Sequence, residues 1–296
     1  MQCTLCPRQC GTDRSIAAGF CGAPAALKIA RAALHFWEEP PISGTRGSGT
    51  VFFSHCPLQC VYCQNRPISF LGDGLSVSDD RLCEIFYELR DKGAHNINLV
   101  SPTQYADRIA ACIRRVKDEG FDLPFVWNTG GYETVETLRM LDGLADIYLT
   151  DFKYASSALA ARYSHAADYP KAAEAALREM LRQQPKCVLR GDLLQKGVIV
   201  RHLVLPGQTA DSKDVIDRFA ACGKGAYLSL MRQYTPSAAC TCAELARPVT
   251  AAEYDEVVNY ALLCGIKKLF LQDGESVSES FIPAFDYEGV LKNDTE

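Results

Sequence analysis

Short apolar runs alternate with longer stretches of helical period from Thr50 to the end of the chain. Val51–Ser54, His95–Val100, Phe125–Trp127, Ile147–Leu149, Val198–Leu205 and Ala226–Met231 read as strands. Each is short, apolar and bounded by turn-forming residues, as a buried strand is. The segments between them, Asp79–Lys92, Tyr105–Glu119, Glu133–Leu141, Pro170–Gln183 and Ser212–Cys222, carry helical patterns, and Ala251–Cys264 follows the sixth strand as a last helix. Ser78 or Asp79 caps the first of them and Gly93 stops it. Lys268–Leu271 closes the series as a short strand. Strands alternating with helices predict an α/β fold with a parallel sheet, here a partial (βα)6 TIM-like barrel. Before it, the loose alternation of Leu27–His35 fits an edge strand or a short helix, with strand preferred, and the proline- and glycine-rich stretch Glu38–Gly49 reads as a linker. The expected division is 1–49, a cysteine-rich knuckle with its linker, and 50–296, the barrel with a C-terminal helix and tail.

Cysteine placement adds the chemistry. Cys56, Cys60 and Cys63 follow the first strand at Cys-x3-Cys-x2-Cys spacing, so a tight loop aims three thiols at one point. Structural zinc normally takes four protein ligands, whereas a four-iron cluster held by three thiolates keeps one iron open to a small chelating molecule. Cys3, Cys6, Cys10 and Cys21 form a second set, punctuated by Pro7, Gly11, Gly19 and Gly22. Four thiolates this close suit zinc or a second iron–sulfur cluster, and spacing does not choose between them. Cys83 and Cys112 fall on helices and read as buried apolar residues, and Cys240-x-Cys242 alone is too weak a signal to assign.

Strand ends supply the polar groups. In a parallel barrel the reacting face is built at the C-terminal ends of the strands. Asn98, Ser101, Asn128, Thr129, Asp151, Lys153, Arg201 and Gln233 fall at or near those ends. Asp151 and Lys153 alternate to one side, where a carboxylate accepts from ribose hydroxyls and an ammonium meets a carboxylate. Gly47-Ser48-Gly49 is a weaker candidate for a place beside the cofactor, and His165 for one at the substrate opening.

Composition sets the outer limits. The chain of 296 residues is 48% hydrophobic and 23% charged, ordinary for a globular protein. A net charge of -5 argues against a broad nucleic-acid footprint. No run approaches the roughly 20 apolar residues of a membrane span, and the cysteines and arginines from Cys3 onward do not form a signal peptide. Fourteen cysteines then fit a reducing cytoplasm, where clustered thiols mean metal more often than disulfides.

The chain resembles the radical S-adenosylmethionine superfamily, and more narrowly its pyruvate formate-lyase activating enzyme-like iron–sulfur branch. The strings that carry this are Cys6-Pro7-Arg8-Gln9-Cys10-Gly11, Trp37–Gly44, Cys63-Gln64-Asn65, His95–Val100, Asp146–Tyr154 and Arg201–Gly207. The resemblance implies that Cys56, Cys60 and Cys63 ligate a [4Fe-4S] cluster and that Tyr62 lies by the adenine of S-adenosylmethionine. It also matches Asp151 and Lys153 to a strand-four pair, and Arg201 to an arginine near the methionine carboxylate. It implies reductive cleavage to a 5′-deoxyadenosyl radical, an electron donor of flavodoxin or ferredoxin type, and in some members a glycyl radical made on a protein substrate. A small molecule, peptide or RNA substrate is the alternative, and a non-catalytic iron–sulfur redox protein belongs to another class. Asn98–Thr103 replaces the usual glycine-rich motif after the second strand, and no ferredoxin insert follows Cys63.

Overall fold

A computed structural model describes residues 2–272 and 283–292. Ten strands are found among them: β1 Leu27–His35, β2 Ser48–Phe53, β3 Leu75–Val77, β4 Ile97–Val100, β5 Phe125–Thr129, β6 Ile147–Asp151, β7 Val188–Arg190, β8 Leu193–Leu203, β9 Tyr227–Met231 and β10 Leu269–Leu271. The helices are α1 Pro40–Ser43, α2 Arg66–Ser69, α3 Asp79–Asp91, α4 Ala106–Asp118, α5 Val135–Met140, α6 Ser157–Ser164, α7 Tyr169–Gln183, α8 Thr209–Cys222 and α9 Ala251–Leu263.

The main sheet runs β10-β9-β8-β6-β5-β4-β2-β1-β3. From β2 to β10 every neighbouring pair is parallel, while β1 pairs antiparallel with both β2 and β3, so Leu27–His35 is an interior strand and not the edge strand expected. The six expected strands are therefore consecutive in space. The sheet stays open between β10 and β3. No helix among the described residues is long and apolar enough to cross a membrane.

Local chemistry explains most boundaries. Ser78, Thr134, Ser156 and Thr250 each accept a backbone N–H of the first turn of the helix they precede. At Thr250 the Glu253 side chain reaches back to complete a capping box. The faces of α3 and α4 that meet the sheet carry Leu82, Ile85, Phe86 and Leu89, and Ile109, Ile113 and Val116, all buried. Cys83 and Cys112 are buried as well, as expected of apolar thiols on helices.

Three further expectations need correction. The stretch taken as a linker is built into the sheet's surroundings: Ser48 begins β2, and Asn96 Nδ2 donates to the carbonyl of Ile42 in α1 at 2.7 Å. Gly47-Ser48-Gly49 does not run beside the pocket, because Ser48 donates to Asn96 and Gly49 sits against Ala94 and Leu89. The strand expected from Val198 begins at Leu193 and folds back on β7. Gly197 interrupts the sequence pattern there because a Cβ would lie 2.9 Å from the Cys187 Cα, a close backbone approach rather than a break.

His202 shows how a strand-end histidine becomes structural. It turns away from the barrel interior, Nδ1 against the Phe152 carbonyl and Nε2 against Ser212 Oγ, both at 2.8 Å. Burial holds its imidazole down at about 4, from an ordinary 6.5, with the Phe152 carbonyl offsetting part of that. The unfolded chain takes up this proton as pH falls through 6.5, while the folded chain resists until about 4. Stability is thus lost as pH falls through that window. On this site alone the fold is expected to be about 2 kcal/mol less stable at pH 5 than at pH 7. Denaturant titrations should show His202→Gln, which keeps two hydrogen-bonding atoms, free of that share; an unchanged acid limb would contradict this.

Candidate active site

The loop after β2 turns sharply. His55 and Gln59 both adopt left-handed backbone (φ 73° and 48°), uncommon for residues with a Cβ and held here by their surroundings. One clamp is the Gln104 side-chain amide, which donates to the carbonyls of Ser54, His55 and Ser101 at 2.9, 3.0 and 2.7 Å. It ties the end of β2 to the end of β4, where Ser101 is also left-handed (φ 55°).

Cys56, Cys60 and Cys63 line the same pocket. Burial pushes the Cys56 thiol up to about 12, with the Cys60 and Cys63 sulfurs adding to it, and burial raises Cys63 too. Thiols this costly to ionise become thiolates only when a cation joins them. Donors already face the sulfurs. Ser69 Oγ donates to Cys63 Sγ at 3.2 Å, Ser164 Oγ donates to Cys60 Sγ at 3.0 Å, and the Leu58 N–H meets Cys56. A cubane held by three thiolates puts each on its own iron, and hydroxyl and N–H donors facing the sulfurs suit thiolates in such a role.

Tyr62 lies on the pocket wall, and its hydroxyl heads a relay. Tyr62 Oη is 2.6 Å from Tyr154 Oη, which is 2.8 Å from Ser164 Oγ, the group that donates to Cys60. With Ser164 donating to sulfur, the protons run from Tyr62 to Tyr154 to Ser164. Its ring meets Tyr163 and Tyr234 edge-on.

Across the pocket, Asp151, Lys153 and Arg201 form one ionic group. Lys153 Nζ donates to Asp151 Oδ2 at 2.5 Å, and Arg201 Nε donates to Asp151 Oδ1 at 3.0 Å. Burial alone would raise the Asp151 carboxyl, but Lys153 and Arg201 outweigh it and hold it below the usual carboxylate range. Burial would lower the Lys153 ammonium; Asp151 and the Cys60 sulfur outweigh that and keep it charged. Gly131 is required beside them, at φ 74°, because a Cβ would fall 2.2 Å from the Asp151 carbonyl oxygen.

Glu38 is the residue the sequence reading left without a role. Its Oε1 accepts from Asn98 Nδ2 and Asn128 Nδ2, both at 2.9 Å, and its Oε2 from Arg201 Nη1 at 3.2 Å. Arg201 Nη2 completes the ring by donating to Asn128 Oδ1 at 2.7 Å. An acidic pair directly before Pro40-Pro41, inside a string with no evident secondary structure, was the available signal. Its neighbour Glu39 is half-buried with Oε2 enclosed, and burial raises its carboxyl despite Arg201.

The remaining expected residues divide. Ser101, Asn128, Thr129 and Gln233 line the pocket with Asp151, Lys153 and Arg201. Thr129 donates to the buried Glu133, and Gln233 Oε1 accepts from Gln272 at 3.1 Å. Asn98 is off the pocket wall and reaches the site only through Glu38. His165 does not line the opening: it ends α6 in a left-handed conformation, and its carbonyl accepts from Arg8. Cys3, Cys6, Cys10 and Cys21 stand apart from the pocket, in an N-terminal segment docked on the back of the cysteine loop.

A 4Fe-4S single cluster domain matches residues 43–161, less than half of the chain. An uncharacterized protein of Methanocaldococcus jannaschii is 28% identical over 246 residues, covering 79% of this chain and 66% of that protein. This chain thus spans just under two thirds of that relative's length. Methylornithine synthase (PylB) shares the fold with a TM-score of 0.51 at 14% identity, over 82% of this chain and 72% of that one. A hyperthermophilic chitinase catalytic domain from Pyrococcus furiosus is also similar over 64% of this chain and 68% of its own, at 14% identity, but its TM-score of 0.38 carries no argument. The matched 4Fe-4S single cluster domain thus spans the Cys56–Cys63 loop on this parallel α/β fold.

Proposed function

We propose that the protein binds a [4Fe-4S] cluster through Cys56, Cys60 and Cys63 and cleaves S-adenosylmethionine reductively beside it. The observation that carries this reading is the juxtaposition of three pocket-lining thiols with the Asp151–Lys153–Arg201 group across one pocket. When bound, the cluster and S-adenosylmethionine supply one-electron cleavage of a carbon–sulfur bond and a 5′-deoxyadenosyl radical that abstracts hydrogen.

The chain's own task is to hold and shield. Arg201 spends three of its five N–H donors on Asp151, Glu38 and Asn128, which leaves two for a ligand carboxylate. Lys153 spends one of three on Asp151. Asp151, kept ionised, accepts from hydroxyl groups. The Ser69 and Ser164 hydroxyls stabilise thiolate charge, and the tyrosines around Tyr62 exclude water from one wall.

Within this class, the finer reading is a member of the pyruvate formate-lyase activating enzyme-like branch that makes a glycyl radical on a protein substrate. A flavodoxin- or ferredoxin-type protein in the cytoplasm would supply the electron. The open sheet between β10 and β3 favours a protein loop as substrate over an enclosed small molecule. A purely electron-carrying iron–sulfur protein would have no use for the ionic group opposite the cysteines.

Anaerobic reconstitution with iron, sulfide, S-adenosylmethionine and a reductant tests the reading, with 5′-deoxyadenosine and methionine as products. A cluster that forms without any cleavage would return the protein to the electron-carrier class. Asp151→Asn is expected to weaken S-adenosylmethionine binding by about 1.5–3 kcal/mol, the worth of a charge-assisted contact. Calorimetry on a variant of unchanged iron content measures this, and an unchanged affinity would mean Asp151 does not touch the ligand.

A further inference from the structure

The N-terminal segment lies outside the matched 4Fe-4S domain, yet its sulfurs are treated by the backbone as those of the central loop are. In the central loop the N–H two residues on faces the sulfur at Cys56 (Leu58) and Cys63 (Asn65). In the N-terminal segment the same spacing recurs at Cys6 (Arg8), Cys10 (Thr12) and Cys21 (Ala23). The Thr12 hydroxyl adds a second donor to Cys10. Gln9 and Gly11 in left-handed backbone (φ 40° and 62°) let the chain curl around these sulfurs. N–H groups aimed at sulfur have little to offer a neutral thiol and much to offer a thiolate.

The four sulfurs also face one another. Cys6 feels the charges of Cys21, Cys3 and Cys10, and Cys21 those of Cys3 and Cys10. Zinc and a four-iron cluster can each take four such thiolates; what favours the cluster is its place, docked through Arg8 on the loop that carries Cys56, Cys60 and Cys63.

We infer that Cys3, Cys6, Cys10 and Cys21 hold a second iron–sulfur cluster, set in electronic contact with the Cys56–Cys63 loop. The contact is direct. Arg8, between Cys6 and Cys10, donates to the Pro57 carbonyl at 3.1 Å and to the Ser164 carbonyl at 3.0 Å. Pro57 follows Cys56, and Ser164 is the residue whose hydroxyl meets Cys60. On the other side His55, which precedes Cys56, packs against Gly22, where a Cβ would be 3.1 Å from its Nδ1. Cys10 is exposed and Cys6 buried, so the cluster would have one edge toward solvent and one toward the interior. That places it to take one electron from an external iron–sulfur or flavin donor and pass it inward.

The test uses the full chain, purified and reconstituted anaerobically with iron and sulfide. Protein with Cys56, Cys60 and Cys63 all replaced by alanine should keep about four irons and four sulfides, and adding Cys3→Ala, Cys6→Ala, Cys10→Ala and Cys21→Ala should remove them. One zinc with no iron or sulfide, or no metal at all, would overturn the inference. Because the triple variant could fail to fold, the converse is also measured: wild type should hold about eight irons and Cys3/Cys6/Cys10/Cys21→Ala about four. Wild type with about four irons that the converse variant retains would equally overturn it. Electron paramagnetic resonance of the reduced wild type should show spin–spin broadening absent from both variants; a plain sum of the two spectra would overturn the electronic contact. None of these readouts needs S-adenosylmethionine. Failure of the proposed activity would appear as iron at both sites without cleavage, a different result.

Discussion

Replacing Cys56, Cys60 or Cys63 singly by alanine is expected to abolish 5′-deoxyadenosine formation and to remove the reducible cluster at this loop. Among the described residues only Cys56, Cys60 and Cys63 bring thiols to the pocket, so each loss leaves two ligands where three are needed. Neighbouring groups cannot substitute. Ser69 and Ser164 are donors toward sulfur, and Lys153 is held as a cation by Asp151. Serine in place of cysteine should be little better, because burial that resists a thiolate resists an alkoxide more. Iron and sulfide assays with product chromatography decide the matter, and full cleavage by any one variant would sink the proposed function.

Arg201→Met is expected to produce the largest loss of stability among the pocket residues. Arg201 is the cation shared by Asp151 and Glu38, and its guanidinium also orders Asn128. Burial would lower its guanidinium, but Asp151, Glu39 and Glu38 outweigh this and keep it charged. Methionine fills similar space yet leaves two buried carboxylates with Lys153 as their remaining cation. Breaking a buried ion pair in this way costs on the order of 3–5 kcal/mol. The stranded carboxylates should then take up protons more readily, so the deficit should shrink as pH falls. Adding Glu38→Gln should restore part of the loss, because one of the two unpaired charges goes with it. Chemical denaturation of the wild type and both variants at pH 7 and pH 5 measures this; a deficit below about 1 kcal/mol would mean solvent, not Arg201, compensates these carboxylates.

Much of the site was readable because its signals are local. Asp151 and Lys153 share a side by the two-residue period of a strand, and the structure brings them within 2.5 Å of each other. The cysteine loop follows from spacing after an apolar strand. Glu38 and Asn98 were not readable in their roles, since one lies in a string with no period and the other looked like any strand-end amide. Their hydrogen bond spans sixty positions of sequence.

By itself the sequence determined the succession of six strands and their helices, the cap at the start of the first helix, and the position of both cysteine sets. These depend on periodicity and on side chains acting within a few residues, which packing leaves in place. Tertiary structure decided what lies opposite what. It turned Leu27–His35 into an antiparallel neighbour of β2, folded β7 onto β8 around Gly197, and sent His202 toward Ser212 instead of the pocket. It also set Glu38 beneath Arg201 and Arg8 against Pro57. A buried charge or carbonyl must find a partner wherever the fold supplies one, and that partner carries no mark in the sequence around it.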